Sequence, residues 1–392
     1  MFSRTDERLI ARWWWTVDRV LLGAILALIL GGLVLSLAAS PPVAQRLGLD
    51  YFHFVKRHAL FVLPAIALMI GVSMMSPRGI RRSALVVFAV GIVLMALTLW
   101  IGPEVKGARR WISIGGIALQ PSEFVKPAFV VLVAWAFSER MKRPDMPGNL
   151  MAILLLAAFV GLLVPQPDFG QTMLAVLVWG ALFFAAGMSW LWIVTLGGLG
   201  VGGLVTAYTF VPHVRGRIDR FLDPESGDTF QVDTAIESFV RGGWLGRGPG
   251  EGTVKQSLPD SHTDFIFAVT AEEFGILVCL IIVAAFAFIV LRGLTQALKE
   301  SDPFVKLAVT GLIVLFGLQS VINMAVNLQL MPAKGMTLPF VSYGGSSILS
   351  LAYGMGMVLG LTRRRPQTEP VLYDLPAPHQ RHPGMHAGAR PA

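Results

Sequence analysis

Apolar residues along this chain come in long blocks rather than in alternation, and short polar segments separate the blocks. A hydrocarbon core of about 30 Å takes roughly 20 helical residues to cross. With no water inside that core, a spanning segment must satisfy its own backbone, which selects the α-helix. The blocks predict spans near residues 17–39, 59–75, 83–100, 124–137, 150–164, 172–187, 191–211, 265–291, 304–330 and 346–361. The expected fold class is therefore all-α, a polytopic integral membrane protein of about ten transmembrane helices. Several blocks contain Gly or Pro, which helices in lipid tolerate when neighbours re-satisfy the backbone.

Composition narrows the class. Hydrophobic residues make up 54% of the 392 and charged residues 14%, which excludes an ordinary soluble domain. The first apolar block is too long for a cleavable signal peptide, and no small-residue cleavage site precedes the next block. Cys279 is the single cysteine, so an intramolecular disulfide and a cysteine-based metal site are excluded. Basic residues set the orientation. With both termini in the cytoplasm, Arg4, Arg8, Arg12, Arg78, Arg81, Arg140, Arg143, Arg292 and Arg363 all fall on the inner side. The outer segments nonetheless keep Arg109, Arg110, Lys126, Arg217, Arg220, Lys255 and Lys334. These are either solvated loop charges or a site for an anion such as a diphosphate.

The expected organisation is a cytoplasmic N-terminus (1–16), one membrane domain (17–365) and a disordered cytoplasmic tail (366–392) rich in Pro, His and Arg. Within the membrane domain, 212–264 forms a large extracytoplasmic loop between helices 7 and 8, too long for a mere connector. A short amphipathic helix is expected over 234–240. The glycine-rich run 242–250 lets backbone approach a ligand closely, but it matches neither the P-loop nor the dinucleotide fingerprint.

Four polar constellations lie on the predicted outer face. The first is Gly107-Ala-Arg-Arg-Trp with Gln120-Pro-Ser-Glu-Phe-Val-Lys126, where Glu123 and Lys126 share a helix face. That pair either pins helices together or serves a substrate. The second is Pro167-Asp-Phe-Gly-Gln171 at a helix junction. The third ends in Ser261-His-Thr-Asp264, immediately before the eighth apolar block. The fourth is Pro332-Ala-Lys-Gly-Met-Thr-Leu-Pro-Phe-Val-Ser-Tyr-Gly-Gly-Ser-Ser347, joining the last two spans. Ionisable residues at membrane helix ends are candidates for function. Taken alone, Asp264 also reads as a helix N-cap.

These motifs, in this order and from the first span to the last, resemble the SEDS family of peptidoglycan glycosyltransferases, and the loop at Lys334 is similar to that of its division-type members. The sequence departs from the family pattern at Pro249, Glu251-Gly252 and Phe274. The resemblance implies a ten-helix enzyme of the bacterial inner membrane, at the division septum, with its active site on the outer face. It implies lipid II (an undecaprenyl-diphosphate disaccharide) as substrate and a class B penicillin-binding protein as partner, with other division membrane proteins and membrane lipids around it and no nucleic acid. By motif, the essential aspartate falls on Asp264.

One carboxylate suits this chemistry, because a diphosphate leaves without protonation, whereas a glycosidase needs two carboxyl groups. Asp264 is then the general base, with inversion at the anomeric carbon. Arg109, Lys126, Arg217, Arg220, Lys334, Ser342 and Ser346 are the candidates for holding diphosphate or sugar, supported by Glu123, Asp168, Gln171 and His262. A divalent cation, Mg or Mn, is a possible cofactor, although no dense carboxylate cluster stands out. A flippase for the same lipid, a non-catalytic division scaffold and an elongation-type polymerase are the alternative readings.

Overall fold

The computed structural model of the protein describes residues 8–105, 107–114, 117–210, 215, 216, 219, 230–332 and 335–364. In chain order the helices are α1 (Leu9–Thr16), α2 (Arg19–Ala39), α3 (Pro41–Arg46), α4 (His53–Ser73), α5 (Pro77–Ile101), α6 (Pro121–Lys142), α7 (Gly148–Leu163), α8 (Phe169–Ala185), α9 (Trp190–Phe210), α10 (Phe230–Gly242), α11 (Ile266–Lys299), α12 (Pro303–Asn327) and α13 (Gly345–Leu361). A small antiparallel hairpin, β1 (Ile112–Ile114) with β2 (Ile117–Leu119), joins α5 to α6 in the register Ile112 opposite Leu119. Each predicted span has its helix: α2, α4 to α9, and α11 to α13. The protein is a polytopic helical membrane protein. Six of these helices are long and apolar enough to cross a membrane by themselves. Shorter apolar helices (α7, α8, α13) and α6, which carries Glu123 and Lys126 in its first turns, complete the set.

Polar contacts mark two ends of the bundle. At one end Asp18 caps α2 and receives Arg292 at 2.8 Å from the far end of α11, while Lys142 meets Asp302 at 3.4 Å. At the other end Arg46 donates to the Leu258 carbonyl at 2.8 Å and Ser261 to the Ala39 carbonyl at 3.2 Å. Side chains of α6, α12 and α13 fill the centre, where Phe129, Phe137, Phe316, Met357 and Leu359 are buried.

One expectation is corrected. The eighth apolar block predicts a single span over 265–291, but α11 breaks at Gly275, whose φ of +81° lies in the region that favours glycine. Cys279 Sγ lies 3.8 Å from the carbonyl of Phe267. Twelve residues of straight helix would separate those positions by about 18 Å, so the chain doubles back at Gly275. A half-helix, 266–274, lies against the start of the spanning segment, 276–299.

The glycine-rich run serves this corner. Arg247 and Gly248 donate their N–H groups to the carbonyls of Glu272 and Glu273 at 2.9 and 3.0 Å. Ile276 and Leu277 donate to those of Gly243 and Trp244 at 2.9 and 3.3 Å. A Cβ at Gly246 would stand 2.2 Å from the Glu273 carbonyl oxygen. Close backbone approach, expected for a ligand, is used here for packing. The predicted amphipathic helix at 234–240 is present as the longer α10.

Candidate active site

Asp264 sits on a turn in which its own N–H donates to the Asp260 carbonyl at 3.0 Å, and Asp260 itself has φ of +52°. Phe265, not Asp264, holds the N-cap place of the half-helix. The Asp264 side chain is half-buried. Gly335 lies against it: a Cβ there would be 3.5 Å from Asp264 Oδ2. The segment after α12 thus runs across the carboxylate. Lys334, the residue before Gly335, lies outside the described residues, as do Arg217 and Arg220.

The backbone of Asp264 is held from α12. Asn323 and Asn327 each donate Nδ2 to its carbonyl, at 3.0 and 2.9 Å. Asn327 Oδ1 accepts the Ala268 N–H at 3.1 Å, and Asn323 Nδ2 also reaches the Met336 carbonyl at 2.6 Å. One turn deeper, Gln319 Nε2 donates to the Thr337 carbonyl at 3.2 Å. All three amides are buried. The sequence reading missed them; the available signal was a polar residue at every fourth position of an otherwise apolar run.

Gln319 links this row to the expected pair on α6. Lys126 Nζ donates to Glu123 Oε1 at 2.9 Å and to Gln319 Oε1 at 3.2 Å, and Gln171 Nε2 donates to the same Glu123 oxygen at 2.8 Å. Glu123, Lys126 and Gln171 therefore come together inside the bundle, and Ser350 of α13 donates to the Glu123 carbonyl at 2.6 Å.

Asp168 caps α8 by accepting the Gln171 N–H at 3.3 Å, and stands 3.5 Å from Arg110. Burial pushes its carboxyl above the ordinary range, with Arg110 opposing. Arg110 also donates to the carbonyls of Gln166 and Pro167 at 2.9 and 2.7 Å. Its neighbour Arg109, the expected phosphate ligand, is exposed and pairs with Glu104 at 3.6 Å.

Two expected residues hold the loop across the carboxylate. Ser342 Oγ donates to the Thr263 carbonyl and accepts the Leu338 N–H at 2.8 Å, so both of its capacities are engaged. His262 packs between Phe54 and Tyr343, ring centroids 4.5 and 5.5 Å away, and its carbonyl accepts the Tyr343 N–H at 3.0 Å. Ser346 is buried in the first turn of α13. Among the described residues no group of three or more His, Cys, Asp or Glu side chains converges as a metal would require.

The chain is similar to known proteins over most of its length. A family model described as cell cycle protein, covering FtsW, RodA and SpoVE, matches residues 19–367. The chain belongs to this family. A probable peptidoglycan glycosyltransferase FtsW of Caulobacter vibrioides is 48% identical over 366 residues, covering 93% of this chain and 94% of that protein. The FtsW of Trichlorobacter lovleyi is 35% identical, with 88% and 93% covered. Among solved structures, a chain of a peptidoglycan synthase complex, studied for its coordination of polymerization and crosslinking, superposes with a TM-score of 0.75 at 27% identity, covering 88% of this chain and 97% of that one. The rod shape determining protein RodA of Thermus thermophilus gives 0.67 at 25%, covering 90% and 99%. Within the FtsW, RodA and SpoVE family, these curated relatives are of the FtsW type.

Proposed function

We propose that this protein is a peptidoglycan glycosyltransferase of the FtsW type, polymerising lipid II into glycan strands for the septal wall. The observation that carries the reading is Asp264: a half-buried carboxylate whose backbone is fixed by two buried asparagines and whose side chain faces the backbone at Gly335. Asp264 takes the proton from the acceptor's 4-hydroxyl. The acceptor oxygen forms its bond to the anomeric carbon from the face opposite the diphosphate, whose bond breaks with the electron pair, and configuration inverts. A general base supplies about 10²–10⁴-fold.

The departing diphosphate needs cations. Lys334 adjoins Gly335 in sequence, and Arg217 and Arg220 belong to the long loop, so these three are the proposed ligands. Lys126 is committed to Glu123 and Gln319, which supports a structural part for it, and Arg109 stands apart with Glu104. Asp168, Gln171 and His262 support the surrounding loops. The donor set fits Mg²⁺ or Mn²⁺ only as an ion that completes its shell with water and substrate phosphate, which is how Mg²⁺ is commonly held. Such an ion would neutralise the leaving diphosphate. The setting is the inner membrane at the septum, with the site on the outer face, both termini in the cytoplasm and a class B penicillin-binding protein as crosslinking partner.

The test uses purified protein, with and without that partner, fluorescent lipid II, and glycan ladders on a gel. Ladders from wild type and none from equally folded Asp264→Ala support the reading. No ladder from either, with the partner present, overturns it, and lipid II crossing vesicles without polymer would establish a flippase instead.

A further inference from the structure

We infer that Gln319, Asn323 and Asn327 form a single positioning device that sets the Asp264 carboxylate against the segment from Gly335 to Thr337. The inference rests on the reading of Asp264 as general base. The three amides stand at four-residue intervals on one face of α12, and all are buried. Besides the Asn327 Nδ2 bond to the Asn323 carbonyl at 2.9 Å, which ties two of them together, their bonds reach out of α12. Those to the Asp264 carbonyl and the Ala268 N–H fix the end of the half-helix; those to the carbonyls of Met336 and Thr337 fix the crossing segment. Asn323 is the pivot, because one Nδ2 group serves both Asp264 and Met336, at 3.0 and 2.6 Å.

The geometry matters because both bonded segments are irregular. Asp264 precedes the half-helix on a turn, and the residues from Gly335 to Leu338 form neither helix nor strand. Irregular backbone at membrane depth persists only where protein satisfies its polar groups. Here side-chain amides do so, and the same bonds that satisfy the backbone also set where the carboxylate stands. A misplacement of about 1 Å at a reacting group costs about 10²-fold in rate. Three amides on one rigid helix hold both reacting walls to a common frame. Gln319 extends that frame to Lys126 on α6.

The experiment is a double-mutant cycle on the full-length protein with its partner. Asn323→Leu keeps the branched shape and removes both donor bonds. The expected result is a kcat lower by about 10- to 100-fold with the KM for lipid II within about twofold. In an Asp264→Asn background the same substitution should change the residual single-turnover rate by less than about twofold, because its effect passes through the carboxylate. Asn323→Ser, which keeps one donor, should restore part of the rate and enters the cycle in its place should Asn323→Leu fail to fold. Equal rate losses in both backgrounds, or a loss confined to KM, would overturn the positioning role while leaving Asp264 as base. Near-normal turnover by Asp264→Asn alone would overturn the general base and this inference with it.

Discussion

Lys255 and Glu273 form a buried ion pair that ties the loop before Asp264 to the half-helix after it. Lys255 Nζ also donates to the Ala38 carbonyl at 3.2 Å, so α2 joins the same junction. The adjoining Glu272 carboxylate accepts the N–H groups of Thr253, Val254 and Lys255 at 2.7, 2.7 and 2.9 Å. Removing one member of a buried pair leaves an uncompensated charge and costs about 3–5 kcal/mol. Lys255→Met should therefore lower the thermal midpoint in detergent strongly and abolish polymerisation. Lys255→Met with Glu273→Leu should recover most of the midpoint, since replacing both partners is often neutral.

Gly275 permits no side chain. Its φ is +81°, and a Cβ would stand 2.3 Å from the Trp244 carbonyl oxygen. Gly275→Ala meets both conformational strain of about 1–3 kcal/mol and a backbone clash. Polymerisation by the folded fraction should fall at least tenfold, because the corner carries the half-helix that follows Asp264. Wild-type activity with an unchanged melting profile would show that the corner is dispensable.

At the opposite end of the bundle, burial acts to raise the Asp18 carboxyl, but hydrogen bonds from Arg292, Leu21 and Gln296 outweigh it and hold the group below its usual value of 3.8. A lowered folded value means stability that is present above the unfolded pKa and lost as pH falls through the folded one. Asp18→Asn keeps the helix cap and loses the charge, so it should cost about 1–2 kcal/mol at pH 7. That cost should fade below pH 3.8. Thermal melts across the acid range read it directly.

Asp168 has the contrary sign. Burial raises its carboxyl, so its contribution to stability is greatest at low pH and declines as pH rises through the folded value. Asn is an equally good cap. Arg110 keeps its two carbonyl acceptors, so Asp168→Asn should stay within about 1 kcal/mol of wild type at pH 7, and its melting point relative to wild type should improve as pH rises.

Much of the fold was legible because the span signal is long and crude. Twenty apolar residues announce a helix whatever their neighbours do, so all ten predicted spans have counterparts. The break at Gly275 was not legible, because a glycine in an apolar run is compatible with a straight transmembrane helix and only the docking of residues 243–248 bends the chain there. The short helix α3 and the hairpin of β1 and β2 depend on tertiary contacts too local for a periodic signal. Among the site residues, Glu123 and Lys126 pair as their spacing suggested, whereas Gln171 joins them from α8 with no signal in spacing. Arg109 and Arg110 are neighbours outside any helix, where no periodicity says which side chain turns inward. Asn323 and Asn327 were overlooked because uncharged amides draw less notice than a carboxylate, although an amide can hold backbone carbonyls as well as N–H groups, which a carboxylate cannot.

The half-helix 266–274 is fastened at both ends, by Asn327 and Asn323 at Asp264 and by the glycine run at Gly275. It therefore works as a ruler. One residue added to or removed from it would turn Asp264 by about 100° and shift it by about 1.5 Å relative to the corner. Across this chain's relatives, the distance from the aspartate to the glycine should be counted out to the residue.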